Sequence, residues 1–169
     1  LLDATYILRS IWKRGVMHEA ELRHMNNYGE NLLAGTFLPS DDEYNELERI
    51  TSTSASEFDK QDRWLAHFSH KGRAGPWSSS VNYTSVSDID YLDDLGGFTN
   101  TNSDFSNALG NSREPALLRA GTVSYDTISW QSTLELRSFQ EISSLKSNQY
   151  EILPRLTISG SKSFGQIDS

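Results

Sequence analysis

The 169-residue sequence lacks cysteine entirely and lacks any long hydrophobic run. Without cysteine, the chain can form neither a disulfide bond nor a thiolate metal site. No run of about 18 apolar residues occurs, which excludes a transmembrane helix. A strand of a membrane β-barrel needs only about 10 residues of alternating polarity, so these absences leave barrel proteins open. Basic residues are also few: the formal net charge is -8, which argues against a nucleic-acid partner.

An alternation of polar and apolar residues is what the sequence does contain, most clearly from Asp62 to Gly96. Trp77, Val81 and Tyr83 fall on one side of an extended chain, and serine, asparagine and threonine fall between them. This period of two predicts a β-strand with one apolar and one polar face. Trp64, Ala66 and Phe68 predict a second strand before it, and we expect the glycine-containing stretch 71–76 to make the turn.

The same pattern recurs along the chain and predicts about eight strands in meander order. Several run for about 10 to 13 residues, roughly twice the usual length in globular proteins. We expect long loops at about 39–61 and 87–114. The predicted strands, with the two of the central hairpin, are 2–13, 16–25, 31–38, the stretches before and after the turn at 71–76, 116–125, 128–140 and 153–163.

The lengths of the connections have a parity. The second, fourth and sixth are short, the third and fifth are long, and the seventh is intermediate. In an up-and-down sheet these two sets lie at opposite ends, which is the arrangement of an outer-membrane barrel. The first connection is short although it falls on the long side. The predicted fold class is therefore all-β: an antiparallel up-and-down meander of about eight long strands that is part of a larger transmembrane β-barrel.

Two other fold interpretations remain open from the residues alone. A soluble β-sandwich that binds carbohydrate or another ligand would account for the low apolar content of 36%, but not for the strand lengths or the parity. A porin-type barrel would fit the same pattern. The chain begins within an alternating stretch and without methionine, so we expect residues 1–169 to be a partial barrel domain of a longer protein.

The alternation assigns candidate residues to each face of the predicted barrel. Polar and charged residues at alternate positions would line the lumen, and apolar and aromatic residues would face lipid. The lumen-facing candidates are Glu19, Glu21, Arg23, Gln131, Glu135 and Arg137. The lipid-facing candidates are Tyr6, Leu8, Trp12, Trp64, Phe68, Trp77, Val81, Tyr83, Ile128, Trp130, Leu134 and Leu136.

No pattern predicts catalysis, a metal or a cofactor. His67 and His70 are three apart, so on a strand they point to opposite faces and cannot share an ion. The acidic stretch with Asp88, Asp90, Asp93 and Asp94 lacks the spacing of an EF-hand loop, so we interpret it as a solvated loop. No G-x-S-x-G elbow or glycine-rich phosphate loop is present. The chain is predicted not to be an enzyme.

Several stretches resemble the barrel domain of the LPS-assembly family LptD, from the outer membrane of Gram-negative bacteria. They keep their order over nearly the whole chain. Those that carry the resemblance are Leu2–Tyr6, Lys13–Met17, Glu19–His24, Leu38–Asp41, Asp62–Trp64, Trp77–Thr84, Tyr91–Gly96 and Pro154–Leu156.

The resemblance implies a function that the alternation does not supply. Proteins of this family form a large barrel with a periplasmic jelly-roll domain and a small lipoprotein plug in the lumen. They insert lipopolysaccharide (LPS) into the outer leaflet. The resemblance therefore implies that this chain is an early-to-middle part of such a barrel in the cell outer membrane. Its partners would be LPS, the lipoprotein plug and outer-membrane lipid.

Overall fold

The computed structural model describes residues 1–44, 61–97, 116–142 and 152–161. Within these ranges the chain forms eight strands and one short helix. The strands are β1 (Leu2–Ile11), β2 (Gly15–Asn26), β3 (Gly29–Asp41), β4 (Gln61–Ala74), β5 (Trp77–Val86), β6 (Ala116–Asp126), β7 (Trp130–Glu141) and β8 (Ile152–Gly160), and the helix is α1 (Tyr91–Leu95).

All eight strands belong to one antiparallel sheet in which each strand pairs with its neighbours in sequence. The strands are 9 to 14 residues long. The predicted all-β meander of eight long strands is thus confirmed. Strands β1 and β8 form the two edges of the sheet. In the part of the chain that the structure describes, no helix is long and apolar enough to cross a membrane.

The connections lie at the ends that the sequence predicts. The turns β2–β3, β4–β5 and β6–β7 are tight and lie at what we call the short-turn end of the sheet. The connections after β3, β5 and β7 lie at the opposite end, the long-loop end. The tight turn between β1 and β2 lies there too, with Lys13 at a φ of 63°. Most of the three long connections falls outside the described residues.

Several strand boundaries differ from the prediction. The stretch 71–76 was expected to be a turn, but Lys71 pairs with Ser80 and Ala74 pairs with Trp77. The turn is therefore only two residues long, with Gly75 at a φ of 58°. The predicted loop from 39 to 61 is also shorter, since β3 continues to Asp41 and β4 begins at Gln61.

The start of β7 is a further correction. The alternation of Ile128 with Trp130 predicted a strand from residue 128. In the structure Thr127 accepts a hydrogen bond on Oγ1 from the backbone N–H of Trp130 at 3.1 Å, and its own N–H donates to the carbonyl of Trp130 at 2.8 Å. These two bonds close a turn over residues 127–129, so the strand begins only at Trp130.

The pairing register divides the side chains of the sheet into two faces, because residues paired across strands project to the same side. We call these the polar face and the apolar face. The polar face includes Thr5, Glu21, Arg23, Glu30, Ser69, Asn82, Thr122, Glu135 and Thr157. The apolar face includes Leu8, Leu22, Leu33, Phe68, Val81, Val123, Leu134 and Leu156.

Among the described residues, a hydrophobic core forms on the polar face at the long-loop end only. Met17, Leu38 and Leu65 are buried there beneath Tyr91 and Leu95. The cover is the chain after β5, which turns back over the sheet instead of extending away from it. We call residues 87–97 the folded-back segment. The sequence predicted a long loop over 87–114, and the short helix α1 was not expected.

Candidate functional site

The folded-back segment is held to the sheet first by helix α1. Tyr91 and Leu95 are four apart, so one helical turn places both on the same side. Tyr91 is fully buried and Leu95 nearly so. The helix ends where Gly96 adopts a φ of 71° and its N–H donates to the carbonyl of Leu92 at 3.0 Å. This positive φ favours glycine at a helix C-terminus.

A buried arginine in β4 makes the second attachment. Arg63 is completely buried. Its Nε and Nη2 donate to the two carboxylate oxygens of Asp88 at 2.9 and 2.7 Å, which is a bidentate pair. Its Nη1 donates to Asp94 at 2.7 Å and to Asp41 at 3.2 Å. One guanidinium therefore ties β3, β4 and the folded-back segment together.

A second arginine completes this cluster. Nη1 of Arg14, in the β1–β2 turn, lies 2.8 Å from Asp41 and 3.3 Å from Asp94. The guanidinium carbon of Arg63 also lies 4.0 Å from the centre of the Tyr44 ring. Two cations thus face three carboxylates, which largely satisfies the charges that folding removes from water.

The ionisation of Asp88 follows its surroundings. Burial raises the pKa of this carboxyl, but hydrogen bonds from Arg63 and Ser87 outweigh that effect, so its pKa lies below the ordinary value. Burial also raises the pKa of Tyr91, against which a hydrogen bond to Thr36 acts. Asp88 is therefore held as a carboxylate and Tyr91 as a neutral phenol at neutral pH.

Strands β1 and β2 supply the third attachment. Arg9 donates from Nη2 to the carbonyl of Leu95 at 3.1 Å. Its Nε lies 2.9 Å from Oε1 of Glu19, which is buried beneath the segment. The cation thus compensates both a buried carboxylate and the carboxyl end of helix α1.

The cluster of Arg63, Arg14 and their carboxylates was not predicted from the sequence. The interpretation of Asp88 and Asp94 as members of a solvated acidic loop is wrong, because both carboxylates accept hydrogen bonds from arginine. One sequence signal points to this cluster. Arg63 lies near the start of β4, two positions before Leu65 of the core, so both side chains project to the same face. The partners of Arg63 lie 22, 25 and 31 residues away along the chain.

The six residues predicted to face a lumen all lie on the polar face. Arg23 pairs with Glu21 at 2.6 Å and Arg137 pairs with Glu135 at 2.9 Å. Four strands separate these two pairs, so the structure does not bring them into one site. Glu19 differs from the others because the folded-back segment covers it. Gln131 lies on the same face, near the short-turn end of β7.

Ten of the twelve residues predicted to face lipid lie on the apolar face. Eight of the ten are exposed, among them Tyr6 by 61%, Trp77 by 53% and Trp130 by 59%, and Phe68 and Val81 are half-buried. Trp12 and Ile128 instead lie in the turns after β1 and before β7, where the strand pattern no longer applies. No described residue covers the apolar face, and an exposed hydrophobic surface of this extent indicates contact with a membrane or another protein.

The two histidines lie on opposite faces, as the spacing predicts. Nδ1 of His67 is 2.8 Å from Oγ1 of Thr84 on the polar face. On the apolar face the ring of His70 lies between Asn31 and Ser79, 2.8 Å from each. Across the described ranges, no group of three or more His, Asp or Glu side chains is arranged to hold a metal ion.

The chain is similar in sequence to proteins of one known family. Residues 61–165 match the model of the family LptD, described as LPS transport system D. The chain is 30% identical over 156 residues to the LPS-assembly protein LptD of Vibrio vulnificus strain YJ016, covering 91% of this chain and 17% of the relative.

Two further relatives carry the same name. The LPS-assembly protein LptD of Escherichia coli strain K12 is 28% identical over 159 residues, which is 93% of this chain and 18% of the relative. That of Saccharophagus degradans is 40% identical over 107 residues, or 56% of this chain and 12% of the relative. The chain thus spans less than a fifth of the length of the relatives it matches.

Proposed function

The chain belongs to the LptD family, and from that membership we propose that it forms a stretch of the wall of a larger outer-membrane β-barrel that assembles LPS. Members of this family from Gram-negative bacteria are outer-membrane LPS-assembly proteins. The observation that carries the proposal is the family match over more than half of the chain. LPS is the proposed substrate of the whole protein.

The sheet has the properties that such a wall needs. A transmembrane strand requires about 9–11 residues, and the strands have 9 to 14. The apolar face would meet hydrocarbon through the ten strand residues described above, with Trp12 and Ile128 at the two rims. The polar face would line a hydrated lumen through Glu21, Arg23, Gln131, Glu135 and Arg137.

The open edges support a barrel larger than these eight strands. Lipid offers no hydrogen-bond partners to an unpaired strand, so β1 and β8 would have to pair with further strands. Residues 1–169 would then be a partial barrel domain. The long-loop end would face the cell exterior and the short-turn end the periplasm.

The folded-back segment gives this wall a specific role at its outer end. It covers the polar face at the long-loop end, so in a closed barrel it would occupy part of the lumen. The Arg63 cluster would fix it there. The remaining polar face would stay open for the hydrophilic part of LPS, and in the whole protein also for a lipoprotein plug.

The alternative functions fit less well. A soluble β-sandwich buries its apolar face against a second sheet, whereas the described residues form a single sheet whose apolar face is uncovered. Family membership favours an LPS-assembly barrel over a porin-type barrel. We further propose that the chain is a passive wall with no catalytic role and no nucleic-acid partner.

Site-specific crosslinking in living cells tests this proposal. A photoreactive benzophenone would replace Thr133 in the full-length protein, or Leu134 as the matched control from the opposite face of the same strand. We expect Thr133 to yield adducts with newly made LPS in transit, because it would line the lumen. Leu134 should crosslink to resident lipid at a rate independent of LPS synthesis. If the LPS adducts at Thr133 are as independent of LPS synthesis as those at Leu134, the proposal is contradicted.

A further inference from the structure

The ladder between β5 and β6 stops before the strands do. The last pair toward the long-loop end is Asn82 with Ala120, although β5 continues to Val86 and β6 begins at Ala116. The backbone of β5 beyond Asn82 therefore has no strand partner on this side. Backbone groups in such a position need another source of hydrogen bonds.

Two side chains supply those hydrogen bonds. The amide of Gln140, in β7, accepts from the N–H of Val86 at 3.1 Å and donates to its carbonyl at 2.8 Å, as a neighbouring strand would do. Arg119, in β6, donates from Nε to the carbonyl of Thr84 at 3.2 Å. Its Nη2 donates to Oγ of Ser85 at 2.9 Å and to Oε1 of Gln140 at 2.7 Å.

Arg119 lies on the apolar face. Its guanidinium carbon is 4.9 Å from the centre of the Tyr83 ring, which belongs to that face. Among its contacts within the described part of the chain, every acceptor is neutral. Arg9, Arg14 and Arg63, by contrast, each pair with a carboxylate. Among the described residues, the charge of Arg119 is thus held in place by hydrogen bonds without a carboxylate partner.

The height of Arg119 on the wall agrees with a headgroup position. The rings of Trp77 and Tyr125 contact each other in a tilted arrangement on the apolar face at the short-turn end, with 4.8 Å between their centres. Ser85, which Arg119 contacts, is eight residues further along β5, or about 26 Å of strand. A tilt of about 40° reduces this to a height of about 20 Å, near the edge of an apolar band about 25 Å tall.

We propose that Arg119, positioned by Gln140 and Ser85, binds the phosphate group of a lipid in the outer leaflet, on the outside of the wall. The proposal rests on the membrane orientation given above. A guanidinium held by neutral acceptors keeps its full charge for an external anion. It would fix a phosphorylated lipid beside the seam where the β5–β6 ladder is interrupted.

A local crosslinking measurement tests this site. A benzophenone would replace Ser138, which pairs with Arg119, in the full-length protein reconstituted in phosphatidylcholine nanodiscs. The nanodiscs would contain either bisphosphorylated lipid A or the same lipid without phosphates. We expect adducts with the phosphorylated form about tenfold more often, as one charged hydrogen-bonded contact provides. Equal adduct yields from the two lipids would overturn the proposal, and no substitution of Arg119 is needed for this test.

Variants then assign the effect to Arg119. Arg119→Gln should remove the preference, whereas Arg73→Gln, at an exposed arginine near the short-turn end, should retain it. Gln140→Ala keeps the charge but releases the guanidinium, and it should reduce the preference in part. An unchanged preference in Arg119→Gln would contradict the assignment. Inorganic phosphate at low millimolar concentration should not compete; if it does, the site binds free anions and the lipid proposal is wrong.

A separate position shows whether the membrane orientation itself has failed. A benzophenone at Leu134 should give adducts with phosphatidylcholine whether or not Arg119 binds phosphate. If those adducts form and the phosphate preference at position 138 is absent, only the Arg119 site is disproved. If the adducts at Leu134 are also absent, the membrane orientation, and with it the proposed function, is disproved.

Discussion

Arg63 lies where β3, β4 and the folded-back segment meet, and it donates to three carboxylates from a fully buried position. Such a group contributes little net energy relative to an apolar core, but its removal leaves the buried carboxylate of Asp88 without its arginine partner. Asp41 is the last residue of β3, whereas Asp88 and Asp94 lie in the connection after β5. One residue therefore couples two connections that are distant in sequence.

Replacement of Arg63 by methionine should destabilise the long-loop end of the wall. Methionine has a similar length but no charge, so Asp88 would lose its arginine partner. Asp41 and Asp94 would be left with Arg14. We expect a loss of about 3–5 kcal/mol in the free energy of unfolding. Thermal unfolding of the full-length protein in detergent would measure it. Arg73→Met, at an exposed position, is the control, and equal stability of the two variants would contradict the role of Arg63.

Acid should release the folded-back segment through Asp88. Its pKa is lower in the folded state than the ordinary value, so its ionised form stabilises the fold above about pH 4. That contribution is lost as the pH falls through the lower, folded-state pKa. Hydrogen exchange of residues 87–97, corrected for intrinsic rates, should accelerate as the pH is lowered below about 4.

A variant that cannot titrate provides the comparison for the pH effect. Asp88→Asn should show faster exchange of residues 87–97 already at neutral pH, with a weaker dependence on acid. The short-turn end of strand β2 lies far from the Asp88 carboxylate, so its hydrogen exchange should not change in this pH range. Equal protection of the segment from pH 6 down to the pH at which β2 itself loses protection would rule out this contribution of Asp88 in the unsubstituted protein.

At the scale of elements, the strands could be predicted and the folded-back segment could not. Alternation over ten or more residues, as around Trp77 and Tyr83, predicts a strand because one periodicity determines every side-chain direction. Helix α1 is five residues long, and its N-terminal Asp90 makes no side-chain capping bond. Neither periodicity nor a cap therefore marks it. Its position depends on hydrogen bonds with Arg9 in β1, Thr36 in β3 and Arg63 in β4, which only the assembled sheet brings together.

The folded-back segment should narrow the lumen of the assembled barrel. Replacement of residues 88–96 by a short glycine–serine linker would remove Tyr91 and Leu95 from the polar face. We expect a larger single-channel conductance of the full-length protein in planar bilayers, because the covered surface would become accessible to ions. Asp93→Ala, on the exposed side of α1, is the control and should leave conductance unchanged.

A point substitution makes the same test without a deletion. Tyr91→Ala would create a cavity beneath the segment, at a cost of about 3–5 kcal/mol for a large aromatic side chain. We expect frequent transitions between the normal and the larger conductance, since the segment would leave the sheet reversibly. A deletion variant with unchanged conductance would show that the segment does not enter the conducting path.

At the scale of the whole molecule, one sheet presents two incompatible surfaces. Within the described ranges, its apolar face is uncovered, and its polar face is covered only at the long-loop end. A sheet of this kind is stable when one surface meets lipid and the other meets water, and when its two edge strands are paired. The sequence contains the face assignment in its alternation. The alternation does not determine what pairs with the two edge strands, β1 and β8.

Neighbouring positions on β6 should therefore report opposite environments. Thr122 lies on the polar face and Val123, 43% exposed, on the apolar face. A nitroxide at Val123 of the full-length protein in a bilayer should collide mainly with dissolved oxygen, which concentrates in lipid. A nitroxide at Thr122 should collide mainly with a water-soluble nickel chelate. Because the two labels differ by one residue, misfolding would make their environments alike, whereas a lipid-facing wall requires them to differ. Preferential nickel collisions at both positions would place both faces in water and exclude the membrane orientation.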